Sequence, residues 1–305
     1  MIFGLFIMVI VIMVAAGAWS MKKSRIVLGK AHILASKILN EKRKIWVYTP
    51  PGMSDPENRD KRYPVIYMLD GNAHFSWSNK TAQQLCGISG IRVCRDMIIV
   101  AITNTDRIRD FTPTPSSIGP EGNPVKAFET SGGGEVFIDF IEKELVPYID
   151  SVYPTDHYKA IFGHSLGGLT VMNILINRPG LFDAYVAIEP SMWWDGKKLL
   201  KQAHGALKNI TFNGRKLYLG IANTMPDGMS FQEVRADNSG ATAHMRSVLE
   251  LANMLEANPG NGLKYASEYY SDCDHGSVTH KAGYDALSFL FGVGEDGEMA
   301  QGINH

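Results

Sequence analysis

The chain has 305 residues, ordinary apolar and charged fractions and a formal net charge of −1. That length suits one large core, and the near-zero charge excludes a nucleic-acid partner or an anionic membrane surface held by basic patches. Three cysteines are too few for a disulfide scaffold, no Cys/His spacing of metal type occurs, and the chemistry read below needs neither metal nor organic cofactor.

Residues 2–18 are almost wholly apolar, and Ala16-Gly17-Ala18 offers a small-x-small cleavage site before Trp19. Residues 1–20 therefore read as a secretory signal peptide. No positive charge precedes the run, while Lys22, Lys23 and Arg25 follow it, so an uncleaved membrane anchor is the alternative. A start at Met21 is a third option. The expected location is periplasmic or secreted, with membrane contact only through an uncleaved anchor. Residues 21–30 read as a linker, 31–293 as the folded domain and 294–305 as a polar tail.

Strand and helix signals alternate from residue 31 onward. His32 to Leu39 and Arg43 to Tyr48 read as a hairpin around Asn40-Glu41. Pro64 to Leu69 and Met97 to Ile102 are continuous apolar runs, as expected of strands buried on both faces. Asn79 to Ile88 and Val136 to Ile149 have helical spacing. A strand through Ile161-Phe162 leads to a helix from Leu169 to about Asn177. Strands at Ala184–Ile188, Lys216–Ala222 and Leu263–Tyr270 follow, with helices from Thr242 to Leu255 and from Lys281 to Phe291. Such alternation predicts a mostly parallel sheet covered by helices on both faces, with ligands bound beyond the C-terminal strand ends. Thr103 to Gly134 is too long for a simple turn and reads as a pocket wall. Cys86 and Cys94 read as buried small apolar residues, with a disulfide between them as the alternative.

The chemistry centres on Gly163-His-Ser-Leu-Gly167. A G-x-S-x-G pattern alone is weak. Between a strand and a helix it becomes a sharp turn that lifts the serine hydroxyl above the sheet, at a helix N-terminus that favours developing negative charge. Ser165 is the candidate nucleophile, and it needs a base. His275, in Asp272-Cys-Asp-His-Gly-Ser-Val278 beyond the last strand, is the candidate; His244 and His280 read as surface or structural. The chain order Ser, Asp/Glu, His puts the acid between Ser165 and the histidine, and it is expected after the strand Lys216–Ala222. Asp227, Glu233 and Asp237 lie there, and Asp227 is nearest the strand end. The amide of Leu166, joined by that of Gly71 or Asn72, is the expected oxyanion hole. Trp193 and Trp194 read as a pocket wall or as core. Arg107 and Arg109 read as loop ion pairs or as contacts to an anionic substrate.

Five segments carry a family resemblance: Tyr67-Met-Leu-Asp-Gly71, Asp106-Arg-Ile-Arg-Asp-Phe-Thr-Pro113, Phe162-Gly-His-Ser-Leu-Gly-Gly168, Pro190-Ser-Met-Trp-Trp194 and Asp274-His-Gly-Ser-Val278. In them the chain resembles the putative esterase family of α/β-hydrolases over residues 31 to 293. That group includes siderophore esterases, S-formylglutathione hydrolases and the feruloyl and acetylxylan esterases; the arginine segment and the tryptophan pair are most similar to the siderophore-esterase branch. The resemblance implies an α/β-hydrolase fold, Ser165 and His275 as catalytic residues, and an oxyanion hole near Gly71 and Leu166. It leaves the acid open. The expectation is a serine carboxylic ester hydrolase acting on a siderophore or an acyl sugar. The alternatives are acyl transfer on the same residues and a non-catalytic binding protein of the same fold.

Overall fold

The apolar runs become the centre of one sheet. The computed structural model describes residues 28–87, 92–258 and 261–293. The proposed signal peptide or anchor, the polar tail and Ile88 lie outside those residues. Among the described residues no helix is long and apolar enough to cross a membrane.

Eight strands form the sheet: β1 (Lys30–Ser36), β2 (Glu41–Tyr48), β3 (Tyr63–Met68), β4 (Ile98–Ile102), β5 (Thr155–His164), β6 (Ala184–Ile188), β7 (Lys216–Ala222) and β8 (Lys264–Tyr270). Their spatial order is β1-β2-β4-β3-β5-β6-β7-β8. The opening hairpin is antiparallel and joins β4 antiparallel; every pair from β4 to β8 is parallel. Every residue of β3 is buried, because its side chains alternate between two cores. Val65 and Tyr67 enter one, and Ile66 and Met68 the other.

Nine helices flank the sheet among the described residues: α1 (Gly71–Leu85), α2 (Arg107–Phe111), α3 (Gly134–Phe140), α4 (Val146–Val152), α5 (Leu166–Asn177), α6 (Trp194–Asn209), α7 (Phe231–Ala236), α8 (Ala243–Glu256) and α9 (Val278–Phe291). α1 and α9 cover one face, while α5, α6 and α8 pack on the other.

The structure departs from the sequence expectation in several places, among them the unexpected α7. α1 begins at Gly71, eight residues earlier than the periodicity indicated, because the turn after β3 feeds straight into it. The long connection contains α2. The helical stretch before β5 is broken by one π-turn, Ile141–Leu145, next to Pro147, whose nitrogen has no hydrogen to donate. α6 was not anticipated, and its start carries three left-handed residues, Asp195, Gly196 and Lys197. Cys86 and Cys94 are free thiols.

Backbone strain gathers at one edge. Asp70, Ser165 and Glu189 have φ of 53°, 59° and 45°, and they follow the C-terminal ends of β3, β5 and β6. Non-glycine residues in this region cost on the order of 1–3 kcal/mol each and persist where their surroundings hold them. Open parallel sheets bind ligands at this edge.

Candidate active site

The Ser165 turn is built by close packing. A Cβ on Gly163 would lie 2.2 Å from the Gly167 carbonyl oxygen, so no other residue fits there. Gly167 itself has room for a Cβ at ordinary contact distance, whereas one on Gly168 would stand 3.0 Å from the Ile188 carbonyl oxygen and Pro190. Of the glycines of the turn, the close approach thus falls on Gly163 and Gly168. The Ser165 amide donates to Ile188 O at 3.0 Å, and the Ser191 amide donates to Ser165 O at 3.1 Å. These bonds tie the turn to the end of β6. Ser165 Oγ lies 3.4 Å from Ser191 Oγ.

The neighbouring strand repeats the device. Met68 of β3 pairs with Phe162 of β5, so Gly71 and Ser165 continue side by side. Each left-handed residue opens a helix: Asp70 opens α1 and Ser165 opens α5. Two helix N-termini, with the free amides of Gly71 and Leu166, therefore meet at one place. Gly71 is required there, since a Cβ would sit 2.8–2.9 Å from the backbone of Ala101 and Ile102. Asn72 is exposed, and its side-chain oxygen accepts from the Asn104 amide at 3.2 Å.

Arg107 fixes the two turns to each other. Its guanidinium donates to both Asp70 oxygens at 2.7 and 2.9 Å, and to His164 O at 3.3 Å. Arg109 is paired with Asp110 and Glu41. Both arginines are thus held in ion pairs with carboxylates of the fold, the first of the two readings the sequence offered. Of the two tryptophans, Trp194 is core: it is 1% exposed and donates to Thr114 O at 2.9 Å. Trp193 is partly exposed beside Phe128 of the long connection.

The acid is where the structure corrects the sequence reading. Asp227 is exposed and has no hydrogen bond to a histidine among the described residues. Glu233 is the capping-box partner of Ser230 at α7, and Asp237 holds Ser239 and Thr242. The carboxylate on His275 is instead Glu189, fully buried at the end of β6. Glu189 Oε2 faces His275 Nδ1 at 3.4 Å and His244 Nε2 at 2.7 Å. Its Oε1 accepts from the Ala222 amide at 2.7 Å. Burial pushes this carboxyl up, but the hydrogen bonds from His244 and His275 outweigh that and hold it at about 2. An ionised carboxylate only accepts, so His275 Nδ1 and His244 Nε2 both carry hydrogen. A neutral His275 then keeps its lone pair on Nε2. His244, read from the sequence as surface or structural, is thus a second histidine on the same carboxylate.

His275 sits in a loop shaped by Asp274, whose Oδ1 accepts from the Gly276 and Ser277 amides at 3.0 and 2.8 Å. Its ring lies 4.6 Å from that of His164, which packs beneath it. Burial, then the neighbouring His275 and His74, bring His164 down to about 3; burial brings His74 to about 4. Both are neutral in the folded chain at neutral pH, and both gain a proton near 6.5 once unfolded. The unfolded chain therefore binds more protons below pH 6.5, and stability falls as pH drops from 6.5 towards 4. At pH 5 each such histidine costs on the order of 2 kcal/mol. Thermal melting between pH 7.5 and 5 should show a fall of several degrees; a flat profile would contradict this environment.

The matching family model, described as putative esterase, covers residues 36–248. The chain belongs to the putative esterase family. The chain is 33% identical over 186 residues to the ferri-bacillibactin esterase BesA of Bacillus subtilis, spanning 57% of its own length and 62% of that protein. It is 29% identical over 252 residues to the siderophore enterobactin esterase of Emericella nidulans, spanning 74% and 81%. In structure the chain resembles an IroE-like serine hydrolase from Shewanella oneidensis, with a TM-score of 0.77 and 32% identity over 86% of this chain and 80% of the other. These likenesses and the sheet order give the α/β-hydrolase fold expected from the sequence.

Proposed function

We propose that the chain is a serine carboxylic ester hydrolase in which Ser165 is the nucleophile, His275 the base and Glu189 the acid, acting on a siderophore-type ester. The observation that carries this is the buried, ionised Glu189 facing His275 Nδ1 beside the strained serine turn. His275 Nε2 takes the Ser165 proton as Oγ attacks the ester carbonyl. The Gly71 and Leu166 amides hold the oxygen that becomes negative. The imidazolium next to Glu189 then gives its proton to the leaving alcohol. Water resolves the acyl-enzyme by the same steps in reverse roles. Arg107 acts through Asp70 and the His164 carbonyl, keeping the amides and the nucleophile in register. His244 holds Glu189 in place.

The siderophore assignment is supported by the named activities of the relatives. It is also supported by a partly exposed apolar margin beyond β6, β7 and β8, with Trp193, Met225, Met229 and a Phe231–Tyr269 ring pair at 4.8 Å. Such a margin suits aromatic acyl groups. A panel of trilactone siderophores, feruloylated and acetylated sugars and short nitrophenyl esters tests it. Trilactones should give kcat/KM at least about tenfold above the sugar esters, the scale of one well-placed apolar contact. A preference for sugar esters would move the substrate class and leave the reaction standing.

A further inference from the structure

We propose that Glu189, His244 and His275 also form a binding site for a divalent transition-metal ion, with Zn2+ as the type case, and that occupancy turns the hydrolase off. Donor atoms of the three side chains all lie within 4.8 Å of one another. Two imidazoles and one carboxylate are the donor set that Zn2+ and Fe2+ favour, whereas Mg2+ and Ca2+ prefer oxygen alone. A four-coordinate ion with bonds of about 2.1 Å holds its ligands about 3.4 Å apart. The two nitrogens already stand 2.7 and 3.4 Å from Glu189 Oε2, so these two edges lie within about 1 Å of that spacing.

The carboxylate is prepared for this role. It is fully buried and held by its other oxygen through the Ala222 amide, as ligating carboxylates usually are. There is a route in: the side chains of His275 and His244 are 40% and 18% exposed, and the Glu189 side chain lies behind them. An ion placed between the three would meet both nitrogens before the carboxylate.

Inhibition follows from the tautomer. A metal at His275 Nδ1 displaces the hydrogen that faces Glu189. That hydrogen leaves to solvent while Nε2 takes one up, so the neutral ring carries its single hydrogen on Nε2, the atom that must accept the Ser165 proton. The base is lost while Ser165, the two oxyanion amides and the apolar margin stay as they were. Zinc should therefore lower kcat and leave KM nearly unchanged.

Binding is measured on the full-length Ser165→Ala protein by calorimetry with ZnCl2, so the result does not depend on whether or which ester is cleaved. One Zn2+ per chain is expected, with no heat from MgCl2. In His244→Gln the amide still donates to Glu189 but ligates poorly, and affinity should fall about 10–100-fold. His157→Gln, at an exposed histidine elsewhere, should bind as its parent does. On the Ser165-intact protein, saturating Zn2+ should lower kcat at least about tenfold, reversed by EDTA, and the residual activity of His244→Gln should be insensitive to it. Thermal melting of each variant establishes that it is folded. Absence of Zn2+ binding in Ser165→Ala, or equal binding in folded His244→Gln, overturns the site. Binding with undiminished kcat overturns the inhibition.

Discussion

Ser165→Ala should lose at least about a thousandfold in kcat, and His275→Ala should lose about as much. The two side chains act as one unit. Without the base the hydroxyl is not activated; without the hydroxyl the base has no proton to accept. The double variant should consequently be little worse than either single one. Ser165→Ala should remain folded, because Ser165 contributes its backbone to the packing of the turn: its amide meets Ile188 and its carbonyl meets Ser191. Its hydroxyl has one side-chain neighbour at hydrogen-bond range among the described residues, Ser191 at 3.4 Å. Steady-state kinetics on a nitrophenyl ester, with thermal melting as a control, checks this. Retention of a tenth of the activity by folded Ser165→Ala would remove the serine from the reaction.

The fold was legible because its central strands are buried on both faces, and burial writes itself into the sequence as unbroken apolar runs. Tyr63–Met68 and Ile98–Ile102 are of this kind. Elements whose start is set by a turn were less legible. α1 begins at Gly71 since Asp70 takes a left-handed conformation under the grip of Arg107 and Asn104, and no local periodicity records that. α6 starts through three left-handed residues that mask its helical pattern. The Ser165 turn and the His275 loop were legible from their setting, a glycine turn between strand and helix and a glycine-flanked loop after the last strand. The carboxylate facing His275 was not, because the three acidic candidates Asp227, Glu233 and Asp237 all lie beyond β7. Sequence order allows the acid after either strand; only the pairing of β5 with β6 puts residue 189 next to the serine turn. One signal was present. Glu189 directly follows the wholly apolar Ala184–Ile188, and a charge at the mouth of a buried strand needs a partner. His244 carried no comparable signal, since a histidine inside an amphipathic helix is usually structural.

The two placements of the acid make opposite predictions. Glu189→Gln should lower kcat at least about a hundredfold, though less than Ser165→Ala, whereas Asp227→Asn should stay within about twofold of wild type. The reason lies in which atoms can donate. The Glu189 carboxylate accepts from His275 Nδ1 and so fixes the lone pair on Nε2. A glutamine amide can donate to Nδ1, which selects the tautomer with hydrogen on Nε2 and leaves no base for Ser165. It also removes the negative charge that stabilises the imidazolium during attack. Asp227 has neither relation to His275, being exposed in the loop after β7. Because Glu189 is buried, its replacement also threatens the fold: the Ala222 amide and His244 lose an ionised acceptor. A lower melting temperature is therefore expected for Glu189→Gln and none for Asp227→Asn, and kcat is compared well below both transitions. Should Asp227→Asn prove the slower enzyme while folded Glu189→Gln keeps near-normal kcat, the acid belongs in the loop after β7, and the Glu189 cluster has a structural role only.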